Sequence, residues 1–217
     1  MTRDSRVSMG VIGICSGLYL TVTLLGLAGG LERWGLQPVA IAIGEQWFRL
    51  VSSIFLHAGL LHVGFNMYVL YVIGPPLEEV LGHGRFLTLF LLSGLGGSVA
   101  SYAFSPLLTL SVGASGAIFG LMAAWIVVGR RLNQDVSQVV GLLVINVALG
   151  FLPGIDWRAH LGGAVTGAVV ALALTTGRGQ QGRELLGRQA ASSIIIVLVL
   201  LAVVVWRTQE IRALAGV

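Results

Sequence analysis

Lysine is absent from this chain, cysteine occurs once, and charge is scarce: only 10% of the 217 residues are Asp, Glu, Lys or Arg. Soluble domains carry about 25% charged residues, so a soluble globular domain is excluded. With no lysine, the net charge of +4 rests on arginines in short connections. That pattern encodes orientation in a bilayer rather than a nucleic-acid surface, and no nucleic-acid partner is expected. The single Cys15 excludes an intramolecular disulfide and a multi-cysteine metal site. No His-Glu-x-x-His pattern occurs, which argues against a zinc metalloprotease. No metal and no other cofactor is expected.

What the chain has in abundance is apolar sequence, 56% of all residues. A spanning helix needs about 20 mostly apolar residues. Segments near 9–28, 59–75, 86–105, 113–129, 137–153, 158–176 and 190–206 meet this, some loosely. The first follows Arg3 and Arg6 like a signal peptide, but its run is long and Ala28-Gly29-Gly30 is no clear cleavage site. It reads as a retained helix. Residues 29–58, with Trp34, Pro38, Trp47, Phe48 and Arg49, read as a structured interfacial loop. The chain divides into a six-helix unit over 1–176, a polar cytoplasmic linker over 177–189, and a seventh helix with a short tail over 190–217.

The arginines set the orientation. With the N-terminus inside, eight lie on the cytoplasmic side (Arg3, Arg6, Arg85, Arg130, Arg131, Arg178, Arg183, Arg188) and five outside (Arg33, Arg49, Arg158, Arg207, Arg212). The positive-inside rule favours this arrangement, and seven spans then put the C-terminus outside. Segments two, four and six run inward from the outer face. His62 and Asn66 open the second, Ser115 the fourth and His160 the sixth. All four residues therefore fall in the outer part of the membrane at similar depth.

A lone serine in a transmembrane helix usually packs or bonds the i−4 carbonyl. Here a base is within prospect. A neutral imidazole can take a serine proton near pH 7, and Ser115 and His160 form a dyad if segments four and six pack. Gly116-x-x-x-Gly120 and Gly163-x-x-x-Gly167 are small-residue faces that let two helix backbones approach closely. His160, Gly163 and Gly167 share one helical face. Acyl transfer also needs donors for the developing oxyanion. His62 and Asn66, four apart, are suitable, with the Ser115 N–H as a third. No acidic residue is well placed as a third triad member; Asp156, beside Pro153-Gly154 and Trp157, reads as interfacial. Polar groups at this depth imply a wet cavity open to the outside. His57 reads as interfacial or as supporting that cavity, Arg49 with Trp47 as an interface anchor and loop brace, and Glu78 and Glu79 as sitting at the inner end of segment two or pairing with Arg85.

Together, Gly113-Ala114-Ser115-Gly116, His160-Leu161-Gly162-Gly163-Ala164-Val165-Thr166-Gly167 and His62-Val63-Gly64-Phe65-Asn66 resemble the rhomboid intramembrane serine proteases. Trp47-Phe48-Arg49 is similar to that family's Trp-Arg element, and Gly74-Pro75-Pro76-Leu77-Glu78 is also familiar. The resemblance covers about residues 40–170. It implies an all-α polytopic fold, a six-transmembrane-helix core plus here a seventh C-terminal helix. Ser115 heads a short helix four, reached by a loop dipping into the membrane. It implies a serine endopeptidase with Ser115 and His160 catalytic, His62 and Asn66 stabilising the transition state, and Gly113, Phe119, Gly163 and Gly167 in support. Phe119 stands where some members carry Tyr; it can stack on His160 but brings no hydroxyl. The substrates implied are transmembrane proteins cut near their outer ends. The composition suggests a prokaryotic plasma membrane. The competing reading is a non-proteolytic client binder like the family's inactive relatives, which lack the dyad that this chain retains. A small transporter would spread polar residues through the membrane depth instead of clustering them near one face.

Overall fold

The computed structural model describes residues 5–24, 29–150, 154–175 and 182–216. Among these the chain is helical, apart from one antiparallel bridge between Leu36 and Ser111. In order come α1 (Arg6–Leu24), the short α2 (Gly30–Trp34), α3 (Pro38–Ala42) and α4 (Arg49–Ser52), then α5 (Leu60–Leu81) and α6 (His83–Phe104). They are followed by α7 (Ser115–Arg131), α8 (Ser137–Leu149), α9 (Trp157–Thr175) and α10 (Gly182–Ala215). Helices α1, α5, α6, α9 and α10 are long and apolar enough to cross a membrane. The chain is an all-α, multi-pass membrane protein. Residues 25–28, 151–153 and 176–181, which carry the expected ends of segments one, five and six and the first part of the linker, lie outside the described residues.

Helix α7 is central and packs on α5, α6, α8 and α9. Ala117, Ile118, Phe119, Leu121 and Met122 are all buried on it. It has 17 residues, about 25 Å at 1.5 Å per residue, against a hydrocarbon core of about 30 Å. A helix this short, held in the middle of the bundle, can begin inside the slab. Its glycines fix its neighbours. A Cβ on Gly163 would strike the Gly116 carbonyl, and one on Gly167 would strike the Gly120 backbone. So α7 and α9 touch backbone to backbone at the two glycine pairs. Helix α6 closes on both. A Cβ on Gly96 would meet Thr166, one on Gly162 would meet Ala100, and one on Gly97 would come within 2.7 Å of the Ala159 carbonyl.

Two elements run further than the sequence suggests. Helix α5 continues through Pro75 and Pro76 to Leu81, where the apolar segment was expected to end near 75. A proline disfavours helix in the residue before it by clashing with that residue's Cβ; Gly74 has none. Helix α10 starts at Gly182, so the second half of the expected linker is already helical. Of the two placements expected for it, Glu78 takes the end of α5 and not the pairing with Arg85. It is fully buried and accepts the Val7 N–H (2.9 Å), the Ser8 N–H (2.8 Å) and the Ser8 hydroxyl (2.6 Å), and it pairs with His83 Nδ1 at 2.6 Å. The first turn of α1 has donors with no partners inside the helix, and Glu78 supplies them. Arg85 bonds Gln189 of α10 at 3.2 Å instead.

Arg49 braces the long loop. Its guanidinium donates to the carbonyls of Glu32 and Gly35, both at 2.6 Å, and to Gln46 at 2.6 Å. The loop is in turn stitched to the segment preceding α7. Leu36 and Ser111 exchange backbone bonds (3.0 and 2.9 Å), and Val39 N–H donates to Leu107 at 3.1 Å. Helix α10 spans the height of the bundle. Near its start Gln189 donates to the Leu174 carbonyl at 2.9 Å. Near its end Thr208 meets the Tyr102 hydroxyl (2.8 Å), and Arg212 holds the Ala42 carbonyl (2.9 Å) and Glu45 (2.8 Å) in the long loop.

Candidate active site

Ser115 is the first residue of α7, and Gly113 makes the turn that puts it there. Gly113 has φ +131°, a conformation side chains rarely adopt, and its N–H donates to the Ser53 carbonyl at 2.9 Å. A Cβ on Gly113 would also lie 2.7 Å from His62 Nε2. Glycine thus serves both the backbone conformation and the close approach of His62.

His160, one turn into α9, presents Nε2 to Ser115 Oγ at 2.9 Å. Phe119, one turn below Ser115 on α7, stacks on the imidazole with ring centres 4.1 Å apart and planes within 13°. The ring's other nitrogen, Nδ1, is buried and meets no partner among the described residues. A Cβ on Gly150 would come within 3.3 Å of it. Among the described residues no carboxylate completes a triad on this ring. Asp156 instead caps α9, accepting the Arg158 and Ala159 N–H groups (3.2 and 3.3 Å), and it accepts the Ser101 hydroxyl and the Ser111 hydroxyl, the latter at 2.7 Å. It ties the start of α9 to α6 and to the segment before α7.

His62 and Asn66 approach from α5. Asn66 is buried and donates one amide hydrogen to the His62 carbonyl at 2.8 Å, which leaves its second N–H and its oxygen. His57 lies outside the spanning helices, buried, with its ring edge-on to His62 at 5.0 Å. Burial pushes its imidazole down to about 4, so it is neutral at pH 7. Ser115, His160, His62, Asn66 and Phe119 all line one cavity of about 680 Å³. Leu61, Phe65 and Val69 of α5, Met122 of α7 and Gly150 make much of the rest of its wall. Gly163 and Gly167 lie behind the site, in the α7–α9 contact.

Sequence reasoning missed two features here. One is the pairing of Asp156 with Ser101 and Ser111, whose bonds join residues 55 and 45 apart and leave no local pattern, so Asp156 was read only as interfacial. The other is Asn146, and its signal was legible: it is the one polar residue between Val139 and Leu149.

These features define a class: a multi-pass helical membrane protein in which a serine at the head of a short helix is hydrogen-bonded to a histidine inside an apolar cavity. The chain matches the Rhomboid domain over residues 44–177, and it belongs to the rhomboid family. It is 38% identical over 186 residues to Rhomboid protease GluP of Bacillus subtilis (strain 168), an alignment covering 80% of this chain and 36% of that protein. It is 39% identical over 163 residues to RHOMBOID-like protein 5 of Arabidopsis thaliana (71% and 50% covered). It is 36% identical over 139 residues to the putative rhomboid protease YdcA of Bacillus subtilis (61% and 69% covered). The chain spans between about a third and a half of the length of several curated relatives it matches.

Proposed function

We propose that the protein is an intramembrane serine endopeptidase that cuts transmembrane proteins near their outer ends. The observation that carries this reading is the 2.9 Å hydrogen bond between Ser115 Oγ and His160 Nε2, inside a cavity large enough for a peptide segment. His160 Nε2 takes the Ser115 proton as Oγ attacks the scissile carbonyl carbon. The tetrahedral oxyanion is met by the Ser115 N–H, the free Asn66 N–H and His62. Collapse breaks the C–N bond, and the imidazolium returns its proton to the leaving amine. Water then hydrolyses the acyl-enzyme with His160 again as base. Phe119 holds the ring plane in place of a third, acidic member.

Orientation belongs to the same proposal. Seven spans, counting α7 and α8, place the N-terminus in the cytoplasm and the C-terminus outside, in the plasma membrane of a prokaryote. The arginine distribution supports it, as do the contacts of α10, whose two ends meet opposite ends of the bundle.

The test is labelling by a fluorophosphonate probe together with cleavage of a single-pass reporter substrate. The parent protein should take the label on Ser115 and cut. Ser115→Ala and His160→Ala should each abolish cleavage in folded protein, and the double variant should be no worse, because members of one catalytic unit are non-additive. Substantial cleavage by purified Ser115→Ala would overturn the assignment. A folded parent that takes no label and cuts nothing would favour a client-binding role.

A further inference from the structure

Asn146 sits in a stretch of α8 that is otherwise apolar from Val139 to Leu149. Its neighbours Val144, Ile145 and Val147 face outward and are exposed. Asn146 is turned the other way, into the cavity, and is 7% exposed. Its Nδ2 donates to the Leu142 carbonyl at 2.8 Å. That bond uses one amide hydrogen and leaves the second N–H and the Oδ1. An amide left without partners in an apolar setting is destabilising, so packing alone is a poor reason to keep one here.

The position of Asn146 says what it faces. Gly150, four residues later, backs His160 Nδ1, so Asn146 lies about 6 Å deeper along α8 than the base. On α5 the arrangement is parallel: Asn66 lies one turn in from His62 and carries the same bond to its own i−4 carbonyl. Helices α5 and α8 both line the cavity and are not a packed pair. Between them the wall at this depth is Phe65, Val69, Ile118 and Met122, which offers a peptide nothing to bond.

A substrate helix must be extended to present a scissile bond. Each residue that unwinds frees an N–H and a C=O, and the bilayer core holds no water to receive them. We propose that Asn146 is a substrate-binding residue whose free amide hydrogen and Oδ1 pair with main-chain groups of the unwound transmembrane segment just inward of the scissile bond. The assignment rests on the proteolytic reading above.

Asn146→Leu removes the amide at similar volume, and Asn146→Gln restores one. For each, the ratio of kcat/KM on a single-pass reporter substrate to the rate of fluorophosphonate labelling of Ser115 is compared with the parent. The probe carries no peptide backbone, so the ratio isolates what the substrate main chain contributes. In Asn146→Leu it should fall at least about tenfold, as the loss of two hydrogen bonds would give, with Asn146→Gln recovering part of it. A ratio equal to the parent's would overturn the proposal. So would cleavage and labelling that fall together with the melting temperature, which marks a structural role. A folded parent protein whose Ser115 takes no label and cuts nothing overturns the proteolytic reading, and this assignment with it.

Discussion

Two walls flank the Ser115–His160 pair, and they are built in opposite ways. On one side α9 lies against α7 and α6 with no room for a methyl group at Gly163, Gly167 or Gly162. On the other, α8 is a 13-residue helix with Val144, Ile145 and Val147 turned outward and the cavity at its back. The nucleophile and its base sit on the two backbones that cannot move apart without breaking contact. The cavity opens where packing is sparse. In the proposed enzyme this divides the labour: the tight wall fixes a distance of 2.9 Å, and the loose wall admits a substrate.

The largest break of this contrast is expected at Gly163. The three atoms nearest the Cβ of Gly163→Ala are all backbone atoms of Gly116, so α7 and α9 must separate. Overpacking of this kind costs about 1–3 kcal/mol, and a shift near 1 Å between reacting groups costs about a hundredfold in rate. Fluorophosphonate labelling of Gly163→Ala should drop at least a hundredfold, with a lower melting temperature in detergent. Gly167→Ala, a turn further from the serine on the same face, should lose similar stability and less reactivity. Equal labelling by Gly163→Ala and the parent would show that the contact does not set the geometry.

A smaller effect is expected at Gly113, where the strain is local. Alanine there must hold φ +131° and displace His62, whose Nε2 lies 2.7 Å from the new Cβ. A left-handed or otherwise sparse backbone conformation costs about 1–3 kcal/mol, and the turn carries Ser115. Labelling should fall about tenfold or more by the same scale, with a modest change in melting temperature. A melting temperature as low as that of Gly163→Ala would place the damage in the bundle rather than the turn.

The tight wall was legible in the sequence and the loose one was not, for physical reasons. Gly116, Gly120, Gly163 and Gly167 repeat every four residues, so they point along one helix face and announce a partner of the same kind. His160 shares that face, which brought it with them. The third member of the contact, α6, was not announced. Gly96 and Gly97 meet Thr166 and Ala159, and nothing about 86–105 alone says which face does so. The partners of Glu78 were hidden for a related reason. Its partners Val7 and Ser8 lie about 70 residues away, whereas Arg85 is near in sequence but turned to α10. Asn146 was visible as a lone amide in an apolar run, but only the cavity shows which way it faces.

A further effect is read at His57, which packs against His62. His57 is held neutral by burial, at about 4 against an ordinary 6.5. Between these values the unfolded chain binds a proton that the folded chain does not, so stability is full above about 6.5 and falls as pH drops toward 4. His57→Phe keeps a ring against His62 and removes the titration. Its melting temperature should fall less steeply than the parent's between pH 6.5 and 4. Parallel curves would mean that His57 carries none of the acid sensitivity.

The smallest effect is expected on the loose wall itself, at Gly141 in the middle of α8. A Cβ there meets nothing within 4 Å, in contrast to every glycine on the α7–α9 face. In a soluble helix Gly→Ala would stabilise by about 0.4–1 kcal/mol through the unfolded chain. In a bilayer the segment stays helical even when tertiary contacts are lost, because its backbone groups have no other partners. Most of that gain therefore cancels. Gly141→Ala should change stability by no more than about 0.5 kcal/mol, with labelling and cleavage close to the parent. The measurement is the melting temperature beside that of Gly163→Ala in the same detergent. A loss at Gly141 comparable to the loss at Gly163 would mean that α8 is clamped against the bundle as firmly as α9, and the division between a fixed wall and an open one would fail.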